Sequence, residues 1–167
     1  SSEKCIKLAE KYESVFATCG IHPHEAEKAP KGYLYELEQF YEHQKVVAVG
    51  EIGLDYHYEY SEREVQREVF RQQLRLSREI GLPVVIHTRD ADADTLKIIE
   101  EEGQGRIRGV FHCFTGDGIM ARRVVDLGFH VSFSGIVTFT NAAKVREAAE
   151  LVPRDRLLVE TDSPYLA

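Results

Sequence analysis

Two carboxylates and two histidines, Glu51, His87, His112 and Asp162, stand at or near the close of successive apolar, β-branched runs. Together they offer imidazole nitrogens and carboxylate oxygens, a donor set suited to Zn²⁺, Mn²⁺ or a similar divalent ion, with no need of cysteine. Carboxylates can bridge two ions ~3.5–4 Å apart, and such a pair activates water while stabilising the leaving oxygen of a phosphodiester. The chemistry implied is hydrolysis without an organic cofactor. One histidine at a strand end is more often structural than ligating. Four such residues at successive strand ends point instead to a metal site. His22 and His24 follow the first run and extend the pattern.

The elements that must position these residues can be read from hydropathy. Strand-like runs recur at 15–19, 46–51, 84–87, 110–114, 129–133 and 157–162, with amphipathic segments between them. Leu34, Leu37 and Phe40 or Tyr41 fall at helical spacing within 32–43, as do Val65, Val69, Leu76 and Ile80 within 62–80. Ser61 and Glu64 read as a capping box, and Gly81 with Pro83 ends that helix. A further helix runs from near Asp92 to Gly103, Gly128 closes the one containing Met120, Val124 and Leu127, and Asn141 is a candidate N-cap for the last. Strands separated by single helices imply parallel pairing with right-handed crossovers. A β/α barrel gathers strand ends on one face, whereas an open sheet spreads them along a line, so the barrel explains the pattern more economically.

Bulk properties narrow the function. The length suits one domain, and no apolar run approaches the roughly 18 residues that span a bilayer. Three cysteines without C-x-x-C spacing fit reduced thiols in a cytoplasm. A net charge of −7 argues against gripping nucleic acid through a general basic surface, so bound cations would have to help hold a DNA substrate.

Five segments carry a more specific signal: G-I-H-P-H at 20–24, V-G-E-I-G-L-D-Y at 49–56, P-V-V-I-H-T-R at 83–89, G-V-F-H-C-F-T-G at 109–116 and L-V-E-T-D-S-P-Y-L at 158–166. In this order and spacing they resemble the TatD deoxyribonucleases, nearly end to end. The resemblance implies a TIM-type (β/α) barrel, two divalent cations (Mg, Mn or Zn) and activity on DNA phosphodiesters, with single strands or ends as the expected substrate. It implies that Glu51 bridges both metals, that His87 and His112 complete one ion's ligands, and that Asp162 binds the other while serving as base. Glu160 is a candidate for orienting a ligand or water, or equally a structural carboxylate of the barrel wall; His22 and His24, which could instead cap the following segment, and Arg89 are candidates for contacting substrate phosphate. Arg89 could equally be ion-paired to its neighbours Asp90 and Asp92. Of Tyr56, Tyr58 and Tyr60, most are expected to pack on a helix rather than stack on nucleobases.

The chain departs from the family pattern in one respect. Members begin with a strand carrying an H-x-H pair, and the only such triplet here, His22-Pro23-His24, belongs to a different motif. Six strand runs against eight in a barrel imply that the first two are absent. The expectation is one hydrolase domain over 1–167, incomplete at both termini, with one metal site incomplete and catalysis by the isolated chain weak or absent. Its gap would be closed by more of its own chain or by another chain, and the sequence does not fix the oligomeric state. Two alternatives stand beside the nuclease: an ester or amide hydrolase acting on a small molecule or aminoacyl ester, and a non-catalytic metal-binding fragment.

Overall fold

A computed structural model describes residues 2–164. Six parallel strands, β1 (Ala17–Cys19), β2 (Val46–Asp55), β3 (Val84–Arg89), β4 (Gly109–Phe111), β5 (His130–Phe133) and β6 (Leu157–Val159), pair in sequence order. Helices α2 (Tyr33–Tyr41), α3 (Arg63–Ile80), α4 (Asp92–Gly103), α5 (Gly118–Asp126) and α6 (Ala143–Leu151) connect them, and α1 (Ser2–Lys11) precedes β1. A doubly wound sheet reverses its strand order at a switch point; this one never does. The winding is that of a β/α barrel, and β1 and β6 end the hydrogen-bonded ladder of the described residues.

The strands are the expected ones, with shifted ends. β2 runs four residues past Glu51, β4 stops one residue before His112, and β6 stops at Val159, leaving Glu160 and Asp162 on the following segment. The core explains the lengths. Ile52, Leu54, Ile86, Phe111 and Val131 are fully buried against Phe70 and Leu74 of α3, Ile98 of α4 and Val124 of α5. A smaller cluster joins Ile6 and Ala9 of α1 to Leu37 of α2 and to Val69 and Leu76 of α3.

Helix ends follow local chemistry, with two corrections to the sequence reading. Gly81 takes the left-handed conformation after α3 and donates its N–H to the Ser77 carbonyl at 2.8 Å. Asp117 caps α5 by accepting from the N–H groups of Ile119 and Met120. The capping box of Ser61 and Glu64 does not form: Glu62 occupies the N-cap of α3 without a side-chain bond. Ser61 Oγ instead donates to the His24 carbonyl and accepts from the Glu27 N–H, both at 3.2 Å. Asn141 caps nothing either, because Ala142 is the N-cap of α6. Ile80, expected on the packed face of α3, is exposed at its last position.

β2 carries the irregularities that matter for function. Between the pairs Val49–Val84 and Ile52–Ile86 it holds one residue more than β3, a bulge that re-aims the side chains around Glu51. Just beyond, Gly53 sits at φ +140°, and a Cβ there would lie 1.9 Å from the His87 carbonyl oxygen. Neighbouring strands can approach this closely only at glycine. Gly32 also has positive φ, at +81°, but faces open space. In urea denaturation Gly32→Ala should therefore cost about 1 kcal/mol from its left-handed backbone alone. Gly53→Ala should cost clearly more, because the β2–β3 pairing must open; equal losses would contradict this account of the strand contact.

Candidate metal centre

Histidines from the ends of β3 and β4 and from the loop after β1 converge on one carboxylate oxygen of β2. Glu51 Oε1 lies 3.1 Å from His87 Nδ1, 3.3 Å from His112 Nε2 and 4.0 Å from His22 Nε2. Across from it, Asp162 Oδ1 is 3.5 Å from the same His112 Nε2. The structure thus brings together the four residues expected to bind metal and adds His22 to them. Ligating atoms of His22, Glu51 and His87 all lie within 4.8 Å of one another, as do those of His24, Asp55 and His87.

Each of the two strand-end histidines is held from behind by a further carboxylate. His112 Nδ1 is 2.9 Å from Glu160, which also accepts the Cys113 N–H. His87 Nε2 is 3.0 Å from Asp55 Oδ2, which lies 2.9 Å from His24 Nε2 as well. Such carboxylates fix the ring's orientation and tautomer, leaving the opposite nitrogen's lone pair directed at an ion. Asp55 is in turn fixed by the N–H groups of His57 and Tyr58, both 3.0 Å from its Oδ1.

Two buried glutamines of α3, seven residues apart and hence on one face, tie this assembly to the scaffold. Gln66 accepts the Asp55 N–H and donates to the carbonyls of Asp55 and Ser61. Gln73 accepts the Ile21 N–H and donates to the Ile21 carbonyl, beside His22. A single helix therefore sets the height of both the β1 loop and the end of β2.

Electrostatics provide the test of whether a cation fits. Burial opposes charge on Glu51, Asp55 and Glu160, yet their imidazole partners, with N–H donors at Asp55 and Glu160, outweigh it and hold all three carboxyls below their usual range. Burial likewise opposes the imidazolium of His87, but hydrogen bonds to Asp55 and Glu51 push it up to about 9. His112 is raised in the same way by Glu160, Glu51 and Asp162. Burial, reinforced by nearby His87, lowers His22 to about 4. The carboxylates favour positive charge between them, and this is what raises both His87 and His112 despite burial. A divalent ion held by neutral imidazoles would answer the same demand, so the donor set fits a cation.

The remaining expected residues lie at the rim. His24 bonds Asp55 rather than entering the Glu51 cluster. Arg89 is not ion-paired with Asp90 or Asp92; its guanidinium lies over the Tyr58 ring, 4.8 Å from the centroid. Tyr56 does pack inward, bonding Asp94 and Arg67, but Tyr58 and Tyr60 stay exposed, contrary to the expectation that most of the run would pack on a helix. Sequence reading passed over Asp55, Gln66 and Gln73. Asp55 was available from strand alternation, because 51, 53 and 55 share a face, whereas the bonds made by the glutamines emerge only from the fold.

An α/β chain of barrel winding, with imidazoles and carboxylates gathered at its strand ends, is the architecture of metal-dependent hydrolases. The chain belongs to the TatD related DNase family, whose profile matches residues 1–167. It is 43% identical over 163 residues to the uncharacterized metal-dependent hydrolase YabD of Bacillus subtilis, covering 98% of this chain and 64% of that protein. It is 36% identical over 166 residues to the 3'-5' ssDNA/RNA exonuclease TatD of Cronobacter sakazakii, covering 99% and 63%. Among solved structures, the TatD homologue YJJV of Escherichia coli superposes with a TM-score of 0.89 at 34% identity, covering 98% of this chain and 63% of that one. The chain thus spans somewhat under two thirds of the length of these relatives.

Two outcomes test this geometry. Asp55→Asn keeps a side chain of the same shape but removes the charge behind His87, and should lower divalent-metal affinity about 10–100-fold by isothermal titration. Unchanged affinity would remove Asp55 from the site. For the metal-free protein, His87 is raised from 6.5 to about 9, so its ion pairs stabilise the fold fully below pH 6.5 and are lost as pH rises through about 9. His22, buried neutral, acts in the opposite sense only below pH 6.5. The melting temperature in EDTA should accordingly fall between these limits, by a stability of order 1–3 kcal/mol. Saturating Mn²⁺ should flatten the fall, and a profile already flat in EDTA would contradict the charge assignment.

Proposed function

We propose that this chain carries the metal-binding core of a hydrolase that cleaves DNA phosphodiesters with a metal-activated water. The observation that carries this reading is the convergence of His22, His87 and His112 on Glu51 Oε1, with Asp162 opposite. Bound cations would lower the pKa of water and neutralise charge building on the phosphate.

In this reading Glu51, His87, His112 and Asp162 would hold the divalent metal, which would supply an activated water and positive charge beside the phosphate. Asp162 also takes the proton of the attacking water, which suits a half-exposed carboxylate beside the ligands. Glu160 and Asp55 accept the outer N–H groups of His112 and His87 and so aim the inner nitrogens. His22 Nδ1 accepts the His24 N–H at 3.2 Å, which leaves Nε2–H as a donor facing the centre and able to hold a phosphate oxygen. His24 and Arg89 line the substrate side, Arg89 as the fixed positive charge. The single-stranded preference draws its support from the name of the Cronobacter relative.

Elemental analysis paired with hydrolysis of single-stranded DNA and of a carboxylic ester and amide panel tests the proposal. We expect bound divalent metal and a turnover that is weak in this chain alone, which spans under two thirds of its relatives' length, but faster on DNA than on the panel. Glu51→Gln and His112→Ala should each lower kcat/KM at least about 100-fold, as loss of a metal ligand requires. Faster turnover of the panel than of DNA would favour the ester or amide hydrolase, and metal bound without turnover of either class would favour a non-catalytic site.

A further inference from the structure

We propose that Tyr58 and Tyr60, flanked by His24 and Arg89, form a stacking shelf that takes an unpaired base of single-stranded nucleic acid beside the metal centre. The two phenol rings are stacked on each other at 5.4 Å and 7° and are 48% and 63% exposed. Both meet His24 edge-on, at 5.5 and 4.9 Å between centroids. The His24 ring is 6.0 Å from His87, so the shelf borders the Glu51 cluster directly. The Arg89 guanidinium lies over the Tyr58 ring, 4.8 Å from its centroid.

The shelf is held in place rather than free to collapse onto the protein. Asp55 Oδ1, which fixes the N–H groups of His57 and Tyr58, belongs to the same carboxylate that orients His87. His57 is tied in turn to Asp90 through Nδ1 at 3.0 Å. Tyr56, two residues earlier, is turned away and used up by Asp94 and Arg67. The strand-end carboxylate thus sets both the metal ligand and the aromatic surface.

The occupant follows from charge and ring chemistry. A chain of net charge −7 cannot draw sequence-independent affinity from many phosphate contacts. Stacking on exposed aromatics is the other general source, because every base has a π-face, and an adjacent arginine adds to it. Bases inside a duplex are already stacked on one another, so the shelf selects a single strand or a frayed end. The position of the shelf relative to the reaction rests on the phosphodiesterase reading; its binding of bases does not.

The test is fluorescence anisotropy in EDTA, where cleavage cannot interfere, with a labelled thymidine octamer and an abasic oligomer of equal length and charge. The wild-type chain should bind the thymidine oligomer about 5–100-fold more tightly. Tyr58→Ala/Tyr60→Ala should abolish that preference without weakening abasic binding, and Tyr58→Phe/Tyr60→Phe should retain it. Equal binding of both oligomers by the wild type, or a preference that survives the alanine pair, overturns the shelf. Hydrolysis in Mn²⁺ separates the two readings. Cleavage of single strands without base preference would leave the phosphodiesterase and remove the shelf, whereas base preference in EDTA without cleavage would do the reverse.

Discussion

The crowding of carboxylates around a few imidazoles is the constraint on which the rest of the structure turns. Glu51, Asp55, Glu160 and Asp162 all reach His87 or His112 within 3.5 Å. Like charges brought this close repel strongly in a partly buried setting unless positive charge stands between them. That need raises the pKa of His87 and His112, and a divalent cation would meet it better because it can hold several oxygens at once. The arrangement is costly as a structural feature and sensible as a binding site.

The scaffold shows how such a cluster is kept in register. Each candidate ligand comes from a different strand or the segment just after it, so its position depends on strand pairing, and the β2 bulge with the close approach at Gly53 brings β2 against β3 at the point where Glu51 and His87 meet. α3 then fixes the loops by hydrogen bonds rather than by apolar contact. Gln66 and Gln73 are fully buried with both amide atoms partnered to backbone, which converts helix position into loop position. The salt bridges of the same helix to Glu102, made by Arg71 and Arg75 on its outer side, join it to α4 at the surface.

Much of this was legible in the sequence because the signals are periodic or carry reactive groups. Alternation of apolar runs with helical spacing identifies the six strands, single-helix crossovers their parallel pairing, and the polar residues closing the runs favour the sequential order of a barrel. Glu51, His87, His112 and Asp162 stand out because a charged or imidazole side chain closes an apolar run. Asp55 escapes the sequence reading because the strand-like run closes at Glu51, and Gly53 weakens the strand pattern over the final four residues of β2. Ser61 and Asn141 have the side chains of caps, but Ser61 is drawn into bonds with the His24 loop, a contact between segments far apart in sequence. The outward turn of Tyr58 and Tyr60 likewise depends on Asp55 seizing the backbone of the loop that carries them.

X-ray absorption at the zinc edge of the zinc-loaded chain tests the central claim, that Glu51 and its histidines form a divalent-cation site, most directly. The account predicts a first shell of nitrogen and oxygen at about 2.0–2.2 Å with the multiple-scattering signature of imidazole, weakened in His112→Ala. A shell of oxygen alone, as for a hydrated surface ion, or one containing sulfur from Cys113, would contradict it.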